Sequence, residues 1–298
     1  MIIAPWLWAV FTVIAAGAQT VRNAAQHELT HKLGTVGATH VRFLFGLPFA
    51  LVFLAGVAVA LGRGLPRPDP VYWLWVIDGA GMQFAATTLM LLAMGQSSFV
   101  VTIAYIKTEP ISVALFGLVL LGDPVTLPMA IAIATATAGV VLMSVKPGAP
   151  RGGLKPMLMG LGAGGLFALS AIGFRGAILN LHDPSFVMAA TFTLVIGLLL
   201  QSVALTTYLY IRSRHVLFAI ARAWRPSLFA GFMGALASQF WYLAFAIATA
   251  ANVRTLALVE VLFAQAISRF VFGQPTSRRQ AAGIVLIVVG VILLIWAY

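Results

Sequence analysis

Apolar runs of about twenty residues, separated by short polar punctuation, recur from one end of the 298-residue chain to the other. A helix needs about 20 mostly apolar residues to cross a bilayer. The pattern predicts ten such spans: 5–24, 37–61, 71–94, 99–121, 127–145, 154–178, 184–211, 227–249, 253–272 and 279–297. Turn chemistry lies between them: Gly62 to Pro70, Gly122-Asp123-Pro124, Pro147 to Gly153, Asp183-Pro184 and Gly273-Gln274-Pro275. Alternation of apolar and polar positions is missing, which argues against a barrel. Helices then remain as the way to satisfy the backbone in lipid. The longest stretch without a spanning pattern is residues 22–36, read as a loop, so no extramembrane domain is expected. The first span lacks a basic segment ahead of it and is read as a retained helix rather than a cleaved leader.

Composition agrees and adds an orientation. The chain is 61% hydrophobic and 8% charged, with a formal net charge of +11. Soluble domains carry about 25% charged residues. An excess of cations on so apolar a chain signals topology and contact with anionic lipids rather than nucleic-acid binding. The absence of Cys excludes disulfides, thiolate metal sites and thiol nucleophiles. Loops after the odd spans hold Lys32, Lys146, Arg151, Lys155, Arg212, Arg214, Arg222, Arg225, Arg278 and Arg279; loops after the even spans hold only Arg63 and Arg67. The positive-inside rule places the odd loops in the cytoplasm and both termini outside, as in an inner-membrane protein.

Shifting the sequence by 151 residues lays spans 3–5 on spans 8–10 without a gap. Glu109 meets Glu260, Gly122 meets Gly273, Pro124 meets Pro275 and Gly139 meets Gly290. Coincidences of Ala or Leu mean little here, but an intramembrane acid, a turn and a packing glycine recurring at one offset mean more. Five spans per half is an odd number, so the halves would face opposite ways in the membrane. The predicted fold is therefore an all-α membrane protein of ten transmembrane helices in two inverted five-helix repeats, 1–148 and 149–298. Many secondary transporters share that plan, with a substrate site near the midplane.

Several local patterns resemble the drug/metabolite transporter superfamily, in particular its ten-helix EamA-type carriers. They are Thr39-His40-Val41-Arg42 at the start of span 2, Glu109-Pro110 followed by Gly122-Asp123-Pro124-Val125-Thr126, and Gly139-Val140-Val141-Leu142 echoed by Gly290-Val291-Ile292-Leu293. The nearest likeness is to the YddG-like amino-acid exporters. The resemblance implies export of aromatic or other amino acids, or of other small metabolites, from the cytoplasm. The likeness has two departures, at three positions. Asp123 and Gln274 stand where such carriers often have Glu, and Val261 stands where span 4 has Pro110.

Ionisable groups inside spans are costly and mark sites or structural pairs. Glu109 and Glu260 are read in two ways: as a substrate-ammonium or proton-coupling site, or as structural charges that lock helices through Arg, Lys or backbone. Lys107 could meet a substrate carboxylate or pair with an acid. Arg175 is read as a carboxylate clamp or, more plainly, as a helix-end cation near the head groups. Gln19, Asn23 and Gln26 form one polar stripe on span 1, read as cavity lining in preference to interhelical bonding. Gln83 and Thr87 share a face of span 3, and Ser238, Gln239, Trp241 and Tyr242 form a polar-aromatic turn in span 8. Tyr105 lies one turn before Glu109 and would share its face. Aromatics and amides of this kind suit a small zwitterion with an apolar side chain. Gly160 and Gly164 are read as a close-packing face of span 6, with a bending point as the sharper alternative.

His27-Glu28-Leu29-Thr30-His31 fits H-E-x-x-H, which on a helix presents two His to zinc. A third ligand is not evident, the segment lies at the exit of span 1, and nothing in the second half repeats it. An intramembrane zinc metalloprotease is thus the alternative to a transporter. The sequence predicts no enzyme, metal or cofactor, and no nucleic-acid partner. It predicts a monomeric carrier whose partners are an amino acid and membrane lipids, with drugs or other metabolites as alternative cargo.

Overall fold

The computed structural model describes residues 4–94, 96, 99–144, 153–270 and 276–298. Those residues are almost wholly helical, and no strand occurs among them. Among the described residues, seven helices are long and apolar enough to cross a membrane: Lys32–Leu61, Pro70–Met94, Leu127–Ser144, Leu154–Asn180, Phe186–Arg212, Trp224–Ile247 and Arg278–Ala297. The expected spans 1, 4 and 9 are helical but not among the seven. The first carries Arg22 and Asn23 in its apolar run, and the other two are interrupted. The expected turn Gly273-Gln274-Pro275 and all but the last residue of the expected turn Pro147 to Gly153 lie outside the described residues.

The chain divides into two compact units that do not coincide with the sequence halves. The first comprises Met1–Ala80 and Gly173–Ile247. It contains α1 (Leu7–Leu44), α2 (Gly46–Leu61), the start of α3 (Pro70–Met94), the end of α7 (Leu154–Asn180), α8 (Phe186–Arg212), α9 (Arg214–Arg222) and α10 (Trp224–Ile247). Residues 22–36, expected as a loop, are helical save at one point. Leu29 and Leu33 are buried there, so the segment has an apolar stripe that holds it in place. At about 1.5 Å per residue, 38 helical residues would far overrun a bilayer. The chain turns at Gly34 instead, whose φ of 68° and ψ of 172° only glycine adopts without strain. α10 packs along α1, with Phe11 against Phe240 at 5.8 Å, and Phe49 of α2 meets Phe232 at 5.2 Å. Arg63 and Asp183 pair at 3.6 Å, so the loops after α2 and α7 share one side.

The second unit comprises Gly81–Ile172 and Ala248–Tyr298. It holds the rest of α3 and α7, then α4 (Phe99–Ile106), α5 (Glu109–Phe116) with a π turn over Gly117–Leu121, and α6 (Leu127–Ser144). α11 (Ala250–Leu256), a 3₁₀ turn over Ala257–Val259, α12 (Glu260–Phe270) and α13 (Arg278–Ala297) complete it. α6 and α13 run antiparallel at the closest approach. A Cβ on Gly139 would fall 2.7 Å from the carbonyl oxygen of Gly283 and 2.8 Å from the nitrogen of Ile287. A Cβ on Gly290 would fall 2.6 Å from the nitrogen of Ala136 and 2.9 Å from the carbonyl oxygen of Ala132. Exchanging residues by 151 positions maps the first set of contacts onto the second. Gly160 and Gly164 of α7 pack against α4, at Tyr105 and Ile106.

Candidate functional site

Four charged residues of the apolar segments converge in the second unit, where two helices break at positions 151 apart. α4 ends at Ile106 because Pro110 has no amide to donate and its ring would collide with the Ile106 carbonyl. Lys107 and Thr108 form a turn, with the Thr108 hydroxyl donating to the Tyr105 carbonyl at 2.7 Å. The freed end of α4 packs on α7, where a Cβ on Gly164 would fall 3.1 Å from the Ile106 oxygen. α5 restarts at Glu109. In the second half, Val261 replaces Pro110, so the interruption is milder. α11 tightens into the 3₁₀ turn Ala257–Val259, and α12 restarts at Glu260. Each acid thus opens a short helix, where the exposed amides favour negative charge.

The two breaks are joined crosswise. The Lys107 ammonium meets the Glu260 carboxylate. Arg254 Nε lies 3.2 Å from Glu109 Oε1, an ion pair without hydrogen-bond alignment. Side-chain exposure of the four is only 12–23%. Two cations and two carboxylates therefore balance in a largely buried cluster, and each sequence half supplies one acid and one base. The sequence places Arg254 among six basic residues inside or at the ends of the predicted spans, without naming it as a substrate contact. Its signal was a single cation six residues before Glu260 in an apolar run. The interruption after Ile106 also corrects the expectation that Tyr105 and Glu109 share a helical face, since no continuous helix joins them. Tyr105 packs on Gly160 instead.

The first unit holds a polar-aromatic cluster. Ser238, Gln239, Trp241 and Tyr242 of α10 are all buried. Trp241 Nε1 donates to Gln19 Oε1 at 3.2 Å, and Gln239 Nε2 donates to the Thr191 hydroxyl at 2.8 Å. The Tyr242 ring lies 5.1 Å from Phe174 and 6.5 Å from Phe245. Gln26 Nε2 donates to the Ala38 carbonyl at 2.8 Å, across the turn at Gly34, while Asn23 accepts from Arg22 at 2.6 Å. Gln19 and Gln26 thus bond between helical segments, one of the two roles expected of the stripe. Arg175 is buried near the end of α7 and donates to the Phe245 carbonyl in the last turn of α10, where the helix dipole favours a cation. Thr191 and Phe174 had no distinguishing mark in the sequence.

The remaining candidates lie in the second unit, where the Thr87 hydroxyl donates to the Gln83 carbonyl at 2.8 Å. The side chains of His27, Glu28 and His31 lie outside the described residues. Among the described residues, no group of three His, Cys, Asp or Glu is placed to hold a metal.

Residues 154–296 match the EamA-like transporter family. The EamA-like segment is the second sequence half, from α7 to α13, and contains Arg254, Glu260 and the turn of α10. This match points to a membrane transporter of small molecules. A solved structure, described only as "Crystal structure of protein", superposes with a TM-score of 0.72 at 14% identity, covering 98% of this chain and 96% of that one. At that identity the likeness is one of fold. No curated protein matches the chain.

Proposed function

We propose that the whole chain is a secondary transporter of ten transmembrane helices in two inverted five-helix repeats. It exports small zwitterionic metabolites, amino acids foremost, across the inner membrane by alternating access. The observation that carries this reading is the crossed charge set at Lys107, Glu109, Arg254 and Glu260. Helices broken near mid-membrane, with charged groups at the breaks, are a recurring device of carriers with internal repeats. The contacts of Gly139 and Gly290, which exchange under the same 151-residue shift, support the repeat. The EamA-like second half and the resemblance of the first half to the same carriers support transport.

In this reading the two ion pairs hold the broken helices together in one state and open in another. Glu109 or Glu260 takes up a proton or meets the substrate ammonium as they part. Within the first unit, Trp241, Tyr242, Gln239 and Ser238, with Gln19 and Asn23, are the proposed substrate contacts. Uptake of a panel of labelled amino acids into proteoliposomes tests the reading. Saturable flux for one or more of them is expected; no saturable flux across the panel would overturn it.

A further inference from the structure

The loop expected between the seventh and eighth spans is a helix with a purpose of its own. α9 joins the ends of two membrane-crossing helices, Arg212 of α8 and Trp224 of α10, so it lies at a membrane boundary. Its inner side is fixed. Ile220 is buried with Leu29, Leu33 and Leu209, and Val216 packs on the same cluster. Its outer side mixes cations with an aromatic: Phe218 is 69% exposed. A short helix with a buried apolar side, a basic side and a protruding aromatic is the form that lies in the head-group layer.

Beside it lies a groove of about 640 Å³. Lys32, His215 and Arg222 supply its polar wall; Leu33, Phe218 and Pro226 supply the apolar one. No acid is among the described residues that line it. The neighbouring Arg214 is engaged elsewhere, its guanidinium 4.1 Å from the Tyr210 ring centre and its Nε donating to the Tyr210 carbonyl at 3.0 Å. The groove thus combines concentrated positive charge with an apolar surface, at the depth where phosphates and acyl chains meet. A free anion would use only the cations.

We propose that this groove binds an anionic phospholipid, its phosphate between Lys32 and Arg222 and its glycerol and upper acyl chain against Phe218 and Leu33. Each basic side chain near an anionic lipid surface contributes about 1 kcal/mol, or about fivefold in affinity. Native mass spectrometry of the full chain tests the site, with dioleoyl phosphatidylglycerol titrated against dioleoyl phosphatidylcholine. Phosphatidylglycerol is expected to be retained preferentially. Lys32→Gln with Arg222→Gln should weaken it about thirtyfold, while Arg63→Gln with Arg67→Gln changes it little. Phe218→Ser should weaken both lipids. Equal retention of the two lipids, or an unchanged affinity in the Lys32/Arg222 variant, would overturn the proposal. So would full competition by millimolar inorganic phosphate, which would make the groove a free-anion site. If the double variant fails to fold, Arg222→Lys and Arg222→Gln compared alone serve instead: only the second should lose the preference, and loss in neither contradicts the site.

Discussion

Neutralising one member of the Arg254–Glu109 pair should cost more than neutralising both. At 3.2 Å and an effective dielectric constant of 20, the two charges attract by about 5 kcal/mol. Desolvation offsets most of that gain, because each ion gives up several kcal/mol of hydration on leaving water. The side chains are 21% and 14% exposed, which puts a lone remaining charge at the lower end of the about 3–5 kcal/mol cost of an orphaned partner. Arg254→Gln and Glu109→Gln should therefore each destabilise the protein by about 3 kcal/mol, and the double variant by about 1 kcal/mol, a coupling close to the Coulomb attraction. The assay is the apparent thermal midpoint of purified protein in one detergent, followed by tryptophan fluorescence. At about 2–4 °C per kcal/mol, each single variant should lose about 6–12 °C and the double variant about 2–4 °C. Additive losses, with the double variant lower than either single one, would refute a direct pairing of these charges.

The other predictions address separate parts of the molecule. Pro110→Ala restores an amide and removes a ring clash worth about 3 kcal/mol in a helix interior, so the thermal midpoint should hold or rise while amino-acid flux falls; unchanged flux would show that the break is not used. Gly139→Ala and Gly290→Ala each place a methyl group against the facing backbone, and both should destabilise by about 1–3 kcal/mol and to a similar extent; a loss at one site only would contradict their equivalence. Trp241→Phe removes the bond to Gln19 and should cost about 1 kcal/mol in stability, and it should raise the substrate concentration needed for half-maximal flux. Glu109→Gln combined with Glu260→Gln should abolish any dependence of flux on a pH gradient, and a dependence that survives would place the coupling elsewhere.

Local apolar runs were legible because each depends only on its own stretch of chain. The spans read as 71–94, 154–178 and 279–297 correspond closely to α3, α7 and α13. Residues 22–36 misled because their mean polarity looks like a loop, although Leu29 and Leu33 form a buried stripe four residues apart. Arg212 to Arg225 misled in the same way, since α9 is too short and too basic to register as a span. The acids Glu109 and Glu260 were legible from rarity and from their common offset. Their partners were not, because Arg254 faces Glu109 across 145 residues of sequence. Pro110 marked one break openly. The other break, with Val261 in that place, rests on a 3₁₀ turn that no residue type announces. The polar stripe Gln19-Asn23-Gln26 had the right residues but gave no sign of the Trp241 indole and Ala38 carbonyl that Gln19 and Gln26 bond.

Counterflow tests the central claim most directly. Proteoliposomes loaded with an unlabelled amino acid that the protein moves are diluted into a trace of the same amino acid in labelled form. Alternating access through one substrate site predicts a transient overshoot of label inside, abolished when the charge set is disrupted by Arg254→Gln. Label that only equilibrates, with the same time course whether the vesicles are loaded or empty, would contradict the account.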